Sequence, residues 1–291
     1  MIISQLCGGL GNQLFQYAAG RRLAHARGAE LVLDLGWFEH RPSSNTIRDY
    51  ELGHYPIQAR LASPGEAFWC RLHQGRILRR IPLFPRRWRH YRERAFEFDP
   101  AVLTLPDNTY LDGYWQSYKY FADIAPQIRQ ELTPALAPAP RDEAIAEKMM
   151  GAGGRAVSLH VRRGDYVTNP AAAKMHGLCS PAYYESAVNT IAQRVVQPHF
   201  FVFSDDMPWV RNHLRLPGEV TYVDHNGPAT AFQDLRLMSL CNHHVVANSS
   251  FSWWGAWLSE KQNGYVIAPS VWFADKRETR DLIPDHWMRI I

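Results

Sequence analysis

Apolar and polar positions alternate in blocks along this chain, and the blocks read as strands and helices. Met1–Leu6 is a short apolar run that fits a buried strand. Gly8-Gly9-Leu10-Gly11 follows as a tight loop. Asn12 is a plausible N-cap for a helix over Gln13–Arg27, with Gly28 placed to close it. Glu30–Leu35 reads as a second strand, so the first 35 residues form a strand–helix–strand unit. Its glycines lack the GxGxxG spacing of a dinucleotide loop, and no Gly-Lys-Ser/Thr follows as in a Walker loop. Ser63-Pro64-Gly65-Glu66 reads as a capping box opening a helix to about Arg80, stopped by Pro82. Thr109–Gly113 reads as a strand and Lys119–Leu132 as a helix. The Pro/Ala stretch over Thr133–Pro140 is the best linker in the chain.

Beyond it the pattern becomes regular. Strand-like runs at Ala156–Val161, His199–Phe203, Val220–Val223, His244–Ala247 and Tyr265–Ala268 alternate with helical patterns. The helices are Pro181–Val196, with Ser180 as N-cap, Pro208–Leu216, Thr230–Cys241 and Phe251–Gln262. Five strands alternating with four helices predict an open parallel α/β sheet, and such sheets bind ligands at the carboxyl ends of their strands.

Three of those ends carry unusual chemistry. The first runs into His160-Val161-Arg162-Arg163-Gly164-Asp165. Two guanidinium groups there match phosphate oxygens, with Asp165 able to orient one of them. The second ends in Ser204-Asp205-Asp206. These adjacent acids fit three roles: accepting the N1–H and 2-amino protons of guanine, capping the next helix, or holding a divalent metal. The third runs into Asn248-Ser249-Ser250-Phe251, where serines open a helix and its free N–H groups favour an anion. The glycine loop of the first half is a further phosphate candidate. His243 and His244 have no metal spacing and read as structural. Together these features imply binding of a nucleoside diphosphate.

Composition sharpens this picture little, and charge sharpens it locally. The 291 residues suffice for two domains, and 46% hydrophobic content supports a sizeable core. Net charge is only +4, but nine arginines against one acid over residues 71–94 concentrate +8 there and leave the remainder at −4. That segment, interleaved with aromatic and aliphatic residues, reads as a surface for anionic lipid headgroups or a phosphate-bearing carrier, or simply as a solvated face. No nucleic-acid recognition module is visible. Four dispersed cysteines favour free thiols, and neither a signal peptide nor an apolar run of membrane-spanning length is expected.

At these residues the chain resembles the bacterial α-1,2-fucosyltransferases, relatives of the blood-group H enzymes. The resemblance is carried by GGLGNQLFQYAAGRRLA at 8–24, LDGYWQSYKYF at 111–121, HVRRGDYV at 160–167, FVFSDD at 201–206 and DLRLMSLCNHHVVANSSFSWWGAWL at 234–258. It implies an α/β, GT-B-like fold of two Rossmann-like domains facing a central cleft. The expected division is 1–135, the acceptor side, and 136–291, the GDP-sugar side, with the last helix packing back on the first domain. The implied reaction is inverting transfer of L-fucose from GDP-β-L-fucose to the 2-OH of a terminal β-galactoside on an oligosaccharide or glycolipid. No metal or other cofactor is implied, and the expected location is cytoplasmic, peripheral to the membrane through 71–94. Residue by residue, Arg162 would be the main pyrophosphate ligand, with Arg163 and Asp165 in support. His160 would line the nucleoside, and Asp205, or else Asp206, would read guanine. Ser249, Ser250 and Phe251 would contact phosphates, as would Gly9, Gly11 and Asn12 from the first domain. Arg162 and Asp165 are the catalytic expectations. Asp112 and His160 are candidates for a general base that the resemblance does not assign.

Overall fold

Two separate runs of parallel strands organise the chain, as the repeated strand–helix pattern requires. The computed structural model describes residues 1–39, 48–68, 89–259, 261 and 264–291, without the side chains of residues 165, 168, 171 and 172. It divides into two compact units, residues 1–133 with 279–282, and residues 134–278 with 283–291. The architecture is GT-B-like α/β, each unit built on its own parallel sheet.

In the first unit the sheet order is β3-β2-β1-β5-β4. The strands are β1 (Ile2–Gln5), β2 (Leu31–Asp34), β3 (Arg60–Leu61), β4 (Arg89–Arg92) and β5 (Thr109–Asp112). The polar sequences of β3 and β4 gave no apolar signal. Helix α1 (Leu10–Arg27) begins earlier than the sequence suggests, with Gly9 and not Asn12 at its N-cap. Asn12 lies inside the first turn, where its Oδ1 accepts a hydrogen bond from Gln116 Nε2 at 2.7 Å. Gly8 makes the tight entry possible: its φ is +75°, and a side chain there would fall 2.5 Å from Asn12 Nδ2. Gly28 closes α1 in the left-handed conformation, as predicted. A one-turn helix α2 (Gly36–Glu39) follows β2.

The capping box is present: the Ser63 amide donates to Glu66 Oε2 at 2.9 Å, and the Glu66 amide to Ser63 Oγ at 3.4 Å. It opens helix α3, described over 64–68; its expected end near Arg80 and the stop at Pro82 lie outside the described residues. The helix expected over Lys119–Leu132 is instead two 3-10 turns followed by α4 (Ala125–Glu131). Pro126 explains this, since proline fits the first turn of a helix but not its interior.

The second unit has six parallel strands in the order β11-β10-β9-β6-β7-β8. They are β6 (Ala156–Val161), β7 (His199–Ser204), β8 (Glu219–Val223), β9 (His243–Val245), β10 (Val266–Pro269) and β11 (Met288–Ile290). The sixth, β11, is three residues at the chain end and was not predicted. Helices α5 (Pro140–Ala152), α6 (Gly164–Thr168) and α7 (Pro170–His176) are also additions to the sequence reading. Helices α8 (Pro181–Ala192), α9 (Met207–His213), α10 (Ala231–Leu240) and α11 (Ser250–Leu258) match it in order. Ser180 caps α8 by accepting from the Tyr183 amide at 3.1 Å.

Both faces of this sheet are covered, which explains its unbroken apolar strands. Phe200 and Val202 pack with Val188 and Ile191 of α8. Phe201 and Phe203, on the alternate face, pack with Leu237 and Met238 of α10. Each such buried side chain contributes about 1.5–3 kcal/mol. The expected last helix, α11, belongs to this second unit. The segment that returns to the first unit is Thr279–Leu282, a turn and not a helix, with Leu282 fully buried. Among the described residues, no helix is long and apolar enough to cross a membrane.

Candidate functional site

Parallel strands deliver their following loops to one edge of the sheet, so the register of the second unit decides which side chains meet. β6 and β7 pair with Val161 opposite Ser204. The next residues on each strand therefore face one another, and Arg162 Nη1 lies 2.8 Å from Asp205 Oδ2. The second Asp205 oxygen accepts from the Arg163 amide at 2.8 Å. Gly164 leaves room for this carboxylate; a Cβ there would sit 2.4 Å from Asp205 Oδ2.

Arg163 turns the other way. Its Nε donates to Asp206 Oδ2 at 3.0 Å, and its guanidinium lies over the Trp209 ring at 4.1 Å. Asp206 Oδ1 caps α9 by accepting from the Trp209 amide at 3.2 Å. Of the three roles open for the paired acids, capping is therefore observed for Asp206. Asp205 is the partner of Arg162. Asp165 falls within α6, and its side chain lies outside the described residues.

His160 ends up beneath this pair of strand ends. It is 6% exposed, its ring lies 5.6 Å from that of Phe251, and its Nδ1 is buried with no hydrogen-bond partner among the described residues. Burial lowers its pKa to about 4, against the pull of the Asp205 charge, so the ring is neutral near pH 7.

Ser249 caps α11, its Oγ accepting from the Phe251 amide at 3.3 Å, and Ser250 is the first helical residue. The start of this helix is anchored by Asn248, whose amide donates to the carbonyls of His176 and Trp272 at 2.9 and 3.2 Å. Its body is fixed by the buried rings of Trp253, Trp254 and Trp257. The structure thus gathers His160, Arg162, Arg163, Asp205, Asp206, Ser249, Ser250 and Phe251 at one edge of one sheet. Two permanent cations and a helix N-terminus there suit an anion bearing several oxygens.

Gly9, Gly11 and Asn12 stand at the corresponding edge of the first unit. Residues that the sequence reading missed hold this edge together. Gln13 Nε2 donates to the carbonyls of Gly8 and Asp49 at 3.0 and 2.8 Å. Gln16 accepts from the Cys7 amide at 2.9 Å and donates to the Gly113 carbonyl at 3.2 Å. Both glutamines are fully buried. Their signal was two amides among the apolar residues of the first half of α1, next to Leu14, Phe15 and Tyr17. Glu93 was also missed; its carboxylate accepts from the amides of Tyr114 and Trp115 at 2.8 and 3.0 Å. Asp112, an expected base candidate, is bound instead by Arg92 Nε at 2.7 Å and lies 3.3 Å from His90 Nε2.

Comparison with known proteins places these features in a family. The model of glycosyl transferase family 11 matches residues 84–290. The chain is 32% identical, over its whole length and 99% of the relative's, to an alpha-1,2-colitosyltransferase of Escherichia coli. It is 29% identical to the human galactoside alpha-(1,2)-fucosyltransferase 1, over 54% of this chain and 44% of that one. Among solved structures, a mutant of Arabidopsis thaliana FUT1 in complex with GDP superposes with a TM-score of 0.51 at 10% identity. That match covers 91% of this chain and 69% of the plant protein, and it speaks for the fold alone. With a full-length relative above 30% identity and a family model spanning both units, this chain is a glycosyltransferase and belongs to glycosyl transferase family 11.

Proposed function

We propose that the chain transfers L-fucose from GDP-β-L-fucose to the 2-OH of a terminal β-galactoside, with inversion at C1. The observation that carries this reading is the placement of Arg162 and Arg163 with the α11 N-terminus at one sheet edge. As the C1–O bond breaks, fucose acquires oxocarbenium character and the diphosphate gains negative charge. Arg162 and the amides at Ser250 and Phe251 stabilise that charge most in the transition state, where it is largest. In this reading guanidinium and helix amides take the role a divalent metal plays in other transferases, so no metal is required. Asp205 is the group placed to exchange Arg162 for guanine when donor binds. The basic segment 71–94 supplies peripheral membrane contact in the same reading; residues 69–88 lie outside the described residues.

The test is transfer from GDP-fucose to lactose in the presence of EDTA. Wild type is expected to turn over, and Arg162→Ala to remain folded while losing at least about 100-fold in kcat/KM, the scale of removing one oxyanion donor. No turnover with any β-galactoside would sink the reading.

A second donor is favoured by one observation: the colitosyltransferase matches over full length, whereas the human fucosyltransferase is matched over 44% of its own. Competition between GDP-fucose and the corresponding colitosyl donor in the same assay decides between the two sugars.

A further inference from the structure

In the reading above, two groups share the diphosphate: the Arg162 guanidinium and the amides that open α11. They stand on different loops, one after β6 and the other after β9. These strands are neighbours, with Leu159 opposite Val245, so both loops leave the same edge of the sheet. The sheet fixes where the loops start. Their spacing beyond that edge has to come from contacts between the loops themselves.

Asn248 makes those contacts. It is 3% exposed and sits one residue before the Ser249 cap. Its Nδ2 donates to the carbonyls of His176 and Gly177, at and just beyond the end of α7, at 2.9 and 3.4 Å, and to that of Trp272, beyond β10, at 3.2 Å. Its Oδ1 accepts from the Cys179 thiol at 3.3 Å. An amide supplies donor and acceptor from one short stem, whereas aspartate would set a carboxylate against those carbonyls. The tryptophans of α11 fix the body of the helix; Asn248 fixes the end that faces the ligand edge.

The Asn248 carbonyl in turn accepts from Tyr166 Oη at 3.4 Å. Tyr166 lies in α6 and is 8% exposed. The guanidinium carbon of Arg162 is 5.5 Å from the centre of its ring, within the range where an aromatic face attracts a cation. The same ring stacks with that of His176 at 4.7 Å and an interplanar angle of 6°. His176 is therefore held twice, its carbonyl accepting from Asn248 and its ring stacked on Tyr166. Arg162, Tyr166, His176, Asn248 and the α11 cap form one circuit of contacts, and all of it belongs to the second unit.

We propose that Tyr166 and Asn248 are positioning residues that set the spacing between Arg162 and the α11 N-terminus, and that this spacing selects a nucleoside diphosphate over a monophosphate. This rests on the donor-site reading given above. Neither residue has to touch the ligand. A diphosphate has two phosphoryl groups to divide between the guanidinium and the helix amides, so its affinity depends on the distance between them. A monophosphate has one, and engages either partner without the other. Loosening the circuit therefore weakens binding of the diphosphate and spares the monophosphate. It also slows transfer, because charge on the departing diphosphate is greatest in the transition state.

The experiment titrates the full chain with GDP and with GMP by calorimetry and records a melting curve for each variant. The variants are Tyr166→Leu, Tyr166→Phe, Asn248→Ala and Tyr183→Phe. Tyr183→Phe is the structural control: its hydroxyl donates to the Val246 carbonyl at 2.6 Å, and its loss leaves every contact of the circuit in place. A wild type that binds neither nucleotide would count against the donor-site reading itself; the other outcomes bear on the two residues. Wild type should bind GDP at least about tenfold more tightly than GMP. In Tyr166→Leu the GDP dissociation constant should rise about tenfold and the GMP constant stay within about twofold. Tyr166→Phe keeps the ring and loses one long hydrogen bond, so its GDP affinity should stay within about threefold of wild type. Asn248→Ala should follow Tyr166→Leu; where it does not fold, the two Tyr166 variants decide, since they leave the buried amide in place. Equal wild-type affinities for GDP and GMP, or equal losses for both in Tyr166→Leu, would overturn the assignment. So would a loss in Tyr166→Phe as large as in Tyr166→Leu, a folded Asn248→Ala with an unchanged ratio of the two affinities, or the same change of ratio in Tyr183→Phe.

Discussion

Arg162 is useful only while its guanidinium is aimed, and Asp205 aims it. One Asp205 oxygen takes the guanidinium and the other takes the next backbone amide, so a single carboxylate fixes both the side chain and the turn that carries it. The pair stays within reach because residue 164 has no side chain. Gly164→Ala would place a Cβ 2.4 Å from Asp205 Oδ2, so the carboxylate must move. The expected result is a rise of about tenfold in the GDP dissociation constant, equivalent to roughly 1.4 kcal/mol. Thermal stability should change little, since the site is at the sheet edge and not in the core. Calorimetric titration checks the first and a melting curve the second; unchanged GDP affinity would show that Asp205 does not set the arginine. Asp205 also shows how a residue's type can be legible while its immediate partner is not. Adjacent acids at a strand end announced polar work, but the partner depended on the β6–β7 register, which no local pattern encodes.

Helices are where sequence and structure part, for identifiable reasons. The strands of the second unit were readable because both faces are buried and the apolar runs are unbroken. Helix starts were readable where a side chain caps them, as at Ser180 and Ser249, and misread at Asn12, where Gly9 does the capping with no side chain at all. The short strands β3 and β4 were illegible because their residues are partly exposed and basic, so their place is set by pairing with β2 and β5. The donor-side candidates were legible as a set, since strand ends and caps mark them. Glu93 was not, because its meaning comes from a loop 20 residues further on. Helix α11 packs closely on α10: a Cβ at Gly255 would lie 2.8 Å from Met238 Cβ. Gly255→Val should therefore force α10 and α11 apart, costing about 1–3 kcal/mol as an overpacked core does. Adding Met238→Ala should recover part of the loss. A melting series over wild type, the single variant and the double variant checks this, and full stability of Gly255→Val would refute the packing argument.

At the scale of the whole molecule, ionisable groups buried on folding are divided unevenly between the two units. The second unit buries His160 and His244, and burial lowers their pKa values to about 4 and about 3. His199 and His243 shift in the same direction from the same cause. An unfolded histidine takes up a proton below about pH 6.5. The folded ones refuse it until far lower pH, so their contribution to stability is complete above pH 6.5 and is lost as pH falls toward 4. Each group costs about 1.4 kcal/mol per pH unit across that window. Asp234 opposes them. Burial raises its pKa to about 6, so between pH 6 and its unfolded value the folded state holds a proton that the unfolded state lacks, and acidification stabilises. Two histidines against one aspartate leave a net loss on the order of 4 kcal/mol between pH 6.5 and 4. In the first unit Glu51 and Glu93 are raised by burial, which acts in the stabilising direction. Glu66, Asp107, Asp112, Asp123 and Asp281 are lowered by their hydrogen-bond and ion-pair partners, and lose stability only as pH falls below the ordinary carboxylate values, under the histidine window. Acid should therefore unfold the second unit first. Calorimetric scans from pH 7 to 4 should show a transition that moves down steeply and is restored in part by GDP, which binds that unit in the proposed reading. His244→Phe should make the pH dependence shallower, because one of the two large contributions is gone. A melting profile independent of pH below 6, or an unchanged slope in His244→Phe, would show that these histidines are not what limits the second unit in acid.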